Sequence, residues 1–229
     1  MKPLLSESED NNSLQALGRA SVQIVHDLKN QLNGLKLYAT FLRRRLEKGD
    51  RPADELETIN KLILGIDRTA EDLSLLSEYG QPLALRKHGA DLQQMLRGVV
   101  ANLNGNAAAQ TVNGALMVVE AEDAPLLGEV DTVLLAEALK SISVGAVKLF
   151  KSRKKEGALK VQLSSDKTGL HRDGIIEWQL LDSVDHDPFR SFAGTDEIRM
   201  SLAAKVIEAH GGTAERLNST LRVRLPLID

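Results

Sequence analysis

The chain has 229 residues, 42% hydrophobic and 27% charged, a globular balance with room for two domains that excludes a disordered or fibrous protein. Lys+Arg 29 against Asp+Glu 32 leaves a formal charge of -3, and aromatics reach only 3%, so neither the electrostatics nor the stacking surface of a nucleic-acid binder is present. The absence of cysteine removes disulfides, thiolate zinc sites and cysteine nucleophiles, and no apolar run reaches the roughly 18 residues that direct membrane insertion needs; the expectation is a cytoplasmic protein.

Residues 1–12 are polar and acidic and read as a flexible N-terminal tail. The tail is too short for an ordinary sensor domain, so input is expected through another protein, or the chain is a fragment. From residue 13 the apolar positions recur every seven: Leu14, Ser21, Leu28, Leu35 and Leu42 form one row, and Leu17, Ile24, Gln31 and Tyr38 a second. Val25, Leu32, Ala39 and Leu46 widen the stripe. This predicts a long amphipathic helix stopped at Lys48-Gly49-Asp50, with Pro52 opening another. The second helix carries Leu56, Ile59, Ile63, Ile66, Ala70 and Leu73 and ends at Tyr79-Gly80-Gln81-Pro82. Residues 13–80 therefore read as a helical hairpin. Its stripes are too wide to be covered within one chain, which predicts a homodimer closed as a four-helix bundle.

Residues 84–229 have the texture of an α+β domain. Strands are predicted at Ala84–Gly89, Ala115–Ala121, Leu159–Ser164, Ile175–Leu181 and Leu221–Leu225. Helices are predicted from Asp91, over Asp131–Phe150, and over Glu197–His210, the last closed by Gly211-Gly212. Trp178, the one tryptophan, lies in an apolar strand and reads as core, and His210 reads as structural. The basic run Lys148, Lys151, Arg153, Lys154 and Lys155 reads as a solvated loop end.

On the first helix His26 falls opposite the apolar seam, with Asp27 beside it and Asn30 one turn later. An exposed imidazole can take a phosphoryl group on nitrogen, a neighbouring carboxylate can orient or deprotonate it, and an amide can place a water. The string Val25-His26-Asp27-Leu28-Lys29-Asn30 resembles the H-box of two-component sensor histidine kinases. Gln31 stands where many members of that family have a helix-kinking proline. The resemblance runs from about residue 14 to the C-terminus. It implies a dimerisation and phosphotransfer hairpin followed by an α/β-sandwich domain like the family's ATP-binding domain.

In that second domain the resemblance keeps its outline and loses its chemistry. The helix over Asp131–Phe150 is similar to the family's N-box helix, but Ser141 and Gly145 stand at its two asparagine positions, so a magnesium ligand is missing. Asp182 survives from the next box and is the one remaining nucleotide-binding candidate, facing an adenine amine, while Val184 and His186 replace glycines. Glu197 and Arg199 replace glycines of the third box, and Asp187 to Gly194 is too short for an ATP lid.

The resemblance thus implies a phosphorelay histidine phosphotransferase. His26 would carry the phosphoryl group between receiver-domain aspartates, Asp27 orient it, Lys29 contact phosphate and Asn30 position a water. No cofactor is expected and no metal; ATP and magnesium enter only under the alternative reading of a sensor kinase core with a divergent site. A third reading is a non-catalytic pseudokinase that binds a response regulator. The expected partners are a second copy of the chain and response-regulator receiver domains.

Overall fold

The computed structural model describes Val25 and residues 28–47, 53–108, 116–122, 124–151, 157–168, 171–180 and 187–228. The chain divides into two compact units, Met1–Pro82 and Leu83–Asp229. No helix among the described residues is long and apolar enough to cross a membrane.

The first unit contains helix α1 (28–47) and helix α2 (Ala53–Gly80). They meet through the ion pair of Lys36 and Asp67, 2.6 Å apart, and through Leu46, which borders a shallow recess with Glu55, Thr58 and Ile59. The row turned toward α2 is Leu32, Ala39 and Leu46, with Ala39 only 3% exposed and Ile66 buried on α2. The rows expected to form the seam stay uncovered in the single chain: Leu28, Leu35, Tyr38 and Leu42 are all exposed, Tyr38 at 69%. Single exposed apolar residues are ordinary on a protein surface, but a helical row of them is a face without a partner.

The second unit begins with strand β1 (His88–Asp91) and helix α3 (Leu92–Ala108). Strands β2 (Met117–Ala121) and β3 (Leu127–Val130) precede helix α4 (Thr132–Lys151). Strands β4 (Leu159–Thr168) and β5 (His171–Gln179), helix α5 (Thr195–Ala209), and strands β6 (Thr213–Leu217) and β7 (Thr220–Pro226) complete it. β1 and β3 pair as a small antiparallel sheet, and the main sheet runs β2-β4-β5-β7-β6, parallel only between β2 and β4.

Period-two alternation puts Leu159, Val161 and Leu163 of β4, Ile176 and Trp178 of β5, and Leu221, Val223 and Leu225 of β7 in the core, each at most 1% exposed. Leu92 and Leu96 of α3, Leu135, Leu139 and Ile142 of α4, and Met200 and Ile207 of α5 belong to the same core. The Trp178 indole N–H donates to the buried Ser143 Oγ at 3.1 Å and so stitches β5 to α4. Alternate positions carry cross-strand ion pairs, Arg222 with Glu177 at 2.6 Å and Lys160 with Glu120 at 3.1 Å.

The helix ends follow local rules. Asp91 Oδ1 accepts from the Gln93 amide at 2.9 Å and caps α3. Asp131 caps α4: its Oδ1 accepts from the Val133 and Leu134 amides at 3.2 and 3.1 Å, and its Oδ2 from the Arg86 amide at 2.9 Å. α5 closes on Gly211, at φ +85°, with the Gly211 amide bonded to Glu208 O and the Gly212 amide to Ile207 O. A Cβ on Gly212 would collide with the Arg224 carbonyl oxygen and crowd Ile207.

The structure departs from the sequence expectation at several edges. No strand covers residues 84–87, because the Arg86 amide turns to the Asp131 side chain instead of a neighbouring strand; β1 starts at His88. β5 extends back to His171 because Thr168, Lys167, Asp166 and Ser165 supply β4 partners for the polar His171-Arg172-Asp173-Gly174 stretch. β3 and β6 were not anticipated; β6 (Thr213–Leu217) is a partly exposed edge strand without apolar alternation.

The Asp131 carboxyl is held below the usual carboxylate range, first by the Arg86 amide and then by the Leu134 amide, against the opposing effect of its desolvation. A group whose folded pKa is depressed stabilises the fold above its unfolded pKa, about 3.9 for Asp. That contribution disappears as pH falls through the lower folded value. Asp131→Asn should therefore lower stability at neutral pH and flatten the acid limb of the stability–pH curve, read by urea unfolding followed through Trp178 fluorescence. Gly212→Ala should cost about 1–3 kcal/mol in the same assay, from the forced shift of the β7 backbone.

Candidate functional site

Two places on the chain carry the residues singled out by sequence. The first is α1. His26 and Asp27 lie outside the described residues, while Lys29 and Asn30 sit exposed on the helix. At about 100° per residue, position 30 comes round to the side of position 26, whereas Leu32, Ala39 and Leu46 turn to α2.

The second is the seam between α4 and α5, which run antiparallel: Asp131 at the start of α4 meets His210 at the end of α5, and Lys148 near the end of α4 meets Asp196 at the start of α5. Gly145 is buried between them, one turn before Lys148. A Cβ built on it would overlap the Met200 sulfur and lie 3.0 Å from Met200 Cγ. Met200 is itself 2% exposed. The glycine that sequence reading treats as a lost ligand oxygen is therefore also a hole into which a thioether packs.

At the start of α5 the first turn is closed by its own side chains. Gly194, the N-cap, offers no side-chain bond. Glu197 Oε2 instead accepts from the Ala193 amide at 3.2 Å and from the Ser191 hydroxyl. The Ser201 hydroxyl donates back to the Ser191 carbonyl at 2.8 Å. Phe189 is 3% exposed, anchoring the segment that enters α5. Two carboxylates, Asp196 and Glu197, thus stand in the first turn, where the helix dipole favours negative charge. The Lys148 ammonium sits 2.6 Å from both oxygens of Asp196.

Asp182, Val184 and His186 lie outside the described residues. Sequence reasoning did not identify Met200: a methionine inside a helical pattern carries no signal for which residue it will touch. The partnership of Asp131 with His210 was also missed, although His210 reads as structural and Asp131 as the start of a helix.

No protein-family model and no curated protein sequence matches the chain. Solved structures do. Full-length ShkA in complex with AMPPNP superposes with a TM-score of 0.63 at 16% identity, over 91% of this chain and 46% of its own. This chain thus spans about half the length of that relative. The histidine kinase ThkA, in complex with the response regulator TrrA, gives 0.58 at 16% identity, over 100% of this chain and 68% of its own. Its fold is that of the histidine kinases. The Acinetobacter baumannii histidine kinase AdeS gives 0.54 at 17% identity, over 89% of this chain and 98% of its own.

Within that histidine-kinase-like fold, Gly145→Asn should destabilise the second unit by about 1–3 kcal/mol through overpacking. Met200→Ala should cost about 2–5 kcal/mol through the cavity it leaves. The double variant should cost clearly less than the sum, because the asparagine enters the space the thioether vacates. Denaturant unfolding monitored by Trp178 reads all three.

Proposed function

We propose that the chain is a histidine phosphotransferase of two-component signalling, working without ATP. The observation that carries this reading is the α4–α5 seam. Where the resemblance would put a magnesium-holding asparagine, Gly145 is covered by Met200, and the helix start that would meet phosphates holds Glu197 bonded to the Ala193 amide. The residues present do not fit a magnesium nucleotide: a carboxylate repels phosphate, and the nearby Lys148 is already neutralised by Asp196.

Chemistry then rests on the first unit. One ring nitrogen of His26 attacks the phosphorus of a receiver's aspartyl phosphate. The P–N bond forms, the P–O bond to the aspartate breaks, and the aspartate leaves as carboxylate. Asp27 takes the hydrogen bond of the other ring nitrogen and balances the imidazolium charge, and Lys29 meets the phosphoryl oxygens. The reverse step delivers the group to a second receiver's aspartate. Asn30 places a water if the partner is dephosphorylated. ThkA, whose fold this chain shares, was solved with a response regulator, which supports a receiver as partner. The uncovered row Leu28, Leu35, Tyr38 and Leu42 supports a homodimer in which two hairpins close a four-helix bundle.

ShkA was solved with AMPPNP, and that similarity keeps a kinase core with a divergent ATP site as the second reading. Two measurements separate them. Calorimetric titration with an ATP analogue and Mg²⁺, beside Asp182→Ala, should show no saturable binding up to millimolar nucleotide; binding abolished by the substitution would establish the kinase reading instead. A radiolabelled phospho-receiver should then label the wild-type chain and leave His26→Ala unlabelled. An unlabelled wild type would reduce the protein to a receiver-binding pseudokinase.

A further inference from the structure

The second unit opens with a short strap, Leu83 to Lys87, directly after the boundary with the first unit. Leu83 packs on the core, the Arg86 amide donates to Asp131 Oδ2 at 2.9 Å, and Lys87 Nζ reaches the His210 carbonyl at 3.5 Å. The Asp131 amide in turn donates to His210 Nε2 at 2.9 Å, and His210 Nδ1 lies 2.8 Å from the Val206 carbonyl. A carbonyl only accepts, so Nδ1 carries the proton and Nε2 is the bare acceptor. His210 is 2% exposed, and the tautomer is dictated by partners that cannot exchange roles.

We propose that His210 is a pH-sensitive latch: protonation of Nε2 sets N–H against the Asp131 N–H and undocks the strap that joins the two units. An amide cannot turn into an acceptor, so relief requires the Asp131 turn to move, and Arg86 is bonded to that residue's side chain. Release frees Leu83 to Lys87, about 17 Å of extended chain. The Asp131 carboxylate at the α4 cap interacts electrostatically with the ring, Lys87 Nζ reaches the His210 carbonyl, Arg86 joins the network through its backbone amide, and His88 of β1 bonds the Arg86 carbonyl. His88 differs in kind. Its ring bonds the Arg86 carbonyl and the Thr132 hydroxyl, each at 3.2 Å, and a hydroxyl reverses its role when the imidazole gains a proton. Asp131 is ionised throughout the range in which imidazoles titrate, since its carboxyl lies below the usual range.

The test is NMR on the full chain from about pH 8 to about pH 5, following the His210 ring nitrogens and the hydrogen exchange of the Arg86 amide, corrected for intrinsic rates. The proposal expects the Nδ1–H tautomer at high pH. It also expects a loss of Arg86 protection of about tenfold or more whose midpoint coincides with the His210 ring, unchanged in His88→Gln and absent in His210→Gln. Should the glutamine variant fail to fold, the coincidence of the two wild-type midpoints decides. An Nε2–H ring at high pH, a His210 ring that never titrates in this range, constant Arg86 protection while it titrates, or a transition that follows His88 would each overturn it.

Discussion

Everything in the second unit depends on how closely α5 can lie against α4. Met200 reaches across and fills the space above Gly145, and no residue with a Cβ at that position could leave the thioether where it is. Because the contact lies between the two end pairings of antiparallel helices, it fixes their separation. The hydrogen bond from the Asp131 amide to His210 fixes their register at one end, and the Lys148–Asp196 pair lies at the other. These three are unequal. Knob-in-hole packing in a dense core is worth kilocalories, whereas an exposed ammonium–carboxylate pair contributes about 0–1 kcal/mol. The ion pair matters less for stability than for what it removes from the surface, a free cation at the start of α5.

The same packing links fold to function. A sheet with three helices over it is a scaffold that supports many chemistries, and which one it performs is decided by the few side chains at its helix ends. Here Asp131 caps the start of α4, Gly211-Gly212 closes the end of α5, and Glu197 in the first turn of α5 bonds the Ala193 amide just before the helix. The first unit is the opposite case. Among its described residues Ala39 of α1 and Ile66 of α2 are buried, while Leu28, Leu35, Tyr38 and Leu42 of α1 stay exposed.

Much of the architecture was legible in the amino-acid order. Heptad spacing marked the two long helices, the break at Gly80-Gln81-Pro82 marked the division between units, and alternation at Leu159–Leu163 and Leu221–Leu225 marked core strands. Gly211-Gly212 announced the end of α5 because only a residue tolerant of positive φ closes a helix that way. The strands that escaped notice, β3 and β6, are short and lack a run of alternating apolar residues, with Val130 the one core side chain of β3. At the site, the H-box-like string around His26 and the missing asparagine at Gly145 could be read directly, since both are statements about residue type.

What only the tertiary structure decided are the pairings between residues far apart in the chain. Heptad periodicity defined a wide stripe on α1 but could not say which row the chain would bury itself; the interhelical contacts assign Leu32, Ala39 and Leu46 to that role. The glycine at position 145 was visible as an absence, and the thioether that fills it was not, because nothing local to Met200 specifies a partner 55 residues upstream. The tautomer of His210 likewise follows from Val206 on its own helix and Asp131 from another. Local order encodes propensity and pattern, and side-chain chemistry becomes definite only when packing chooses the neighbours.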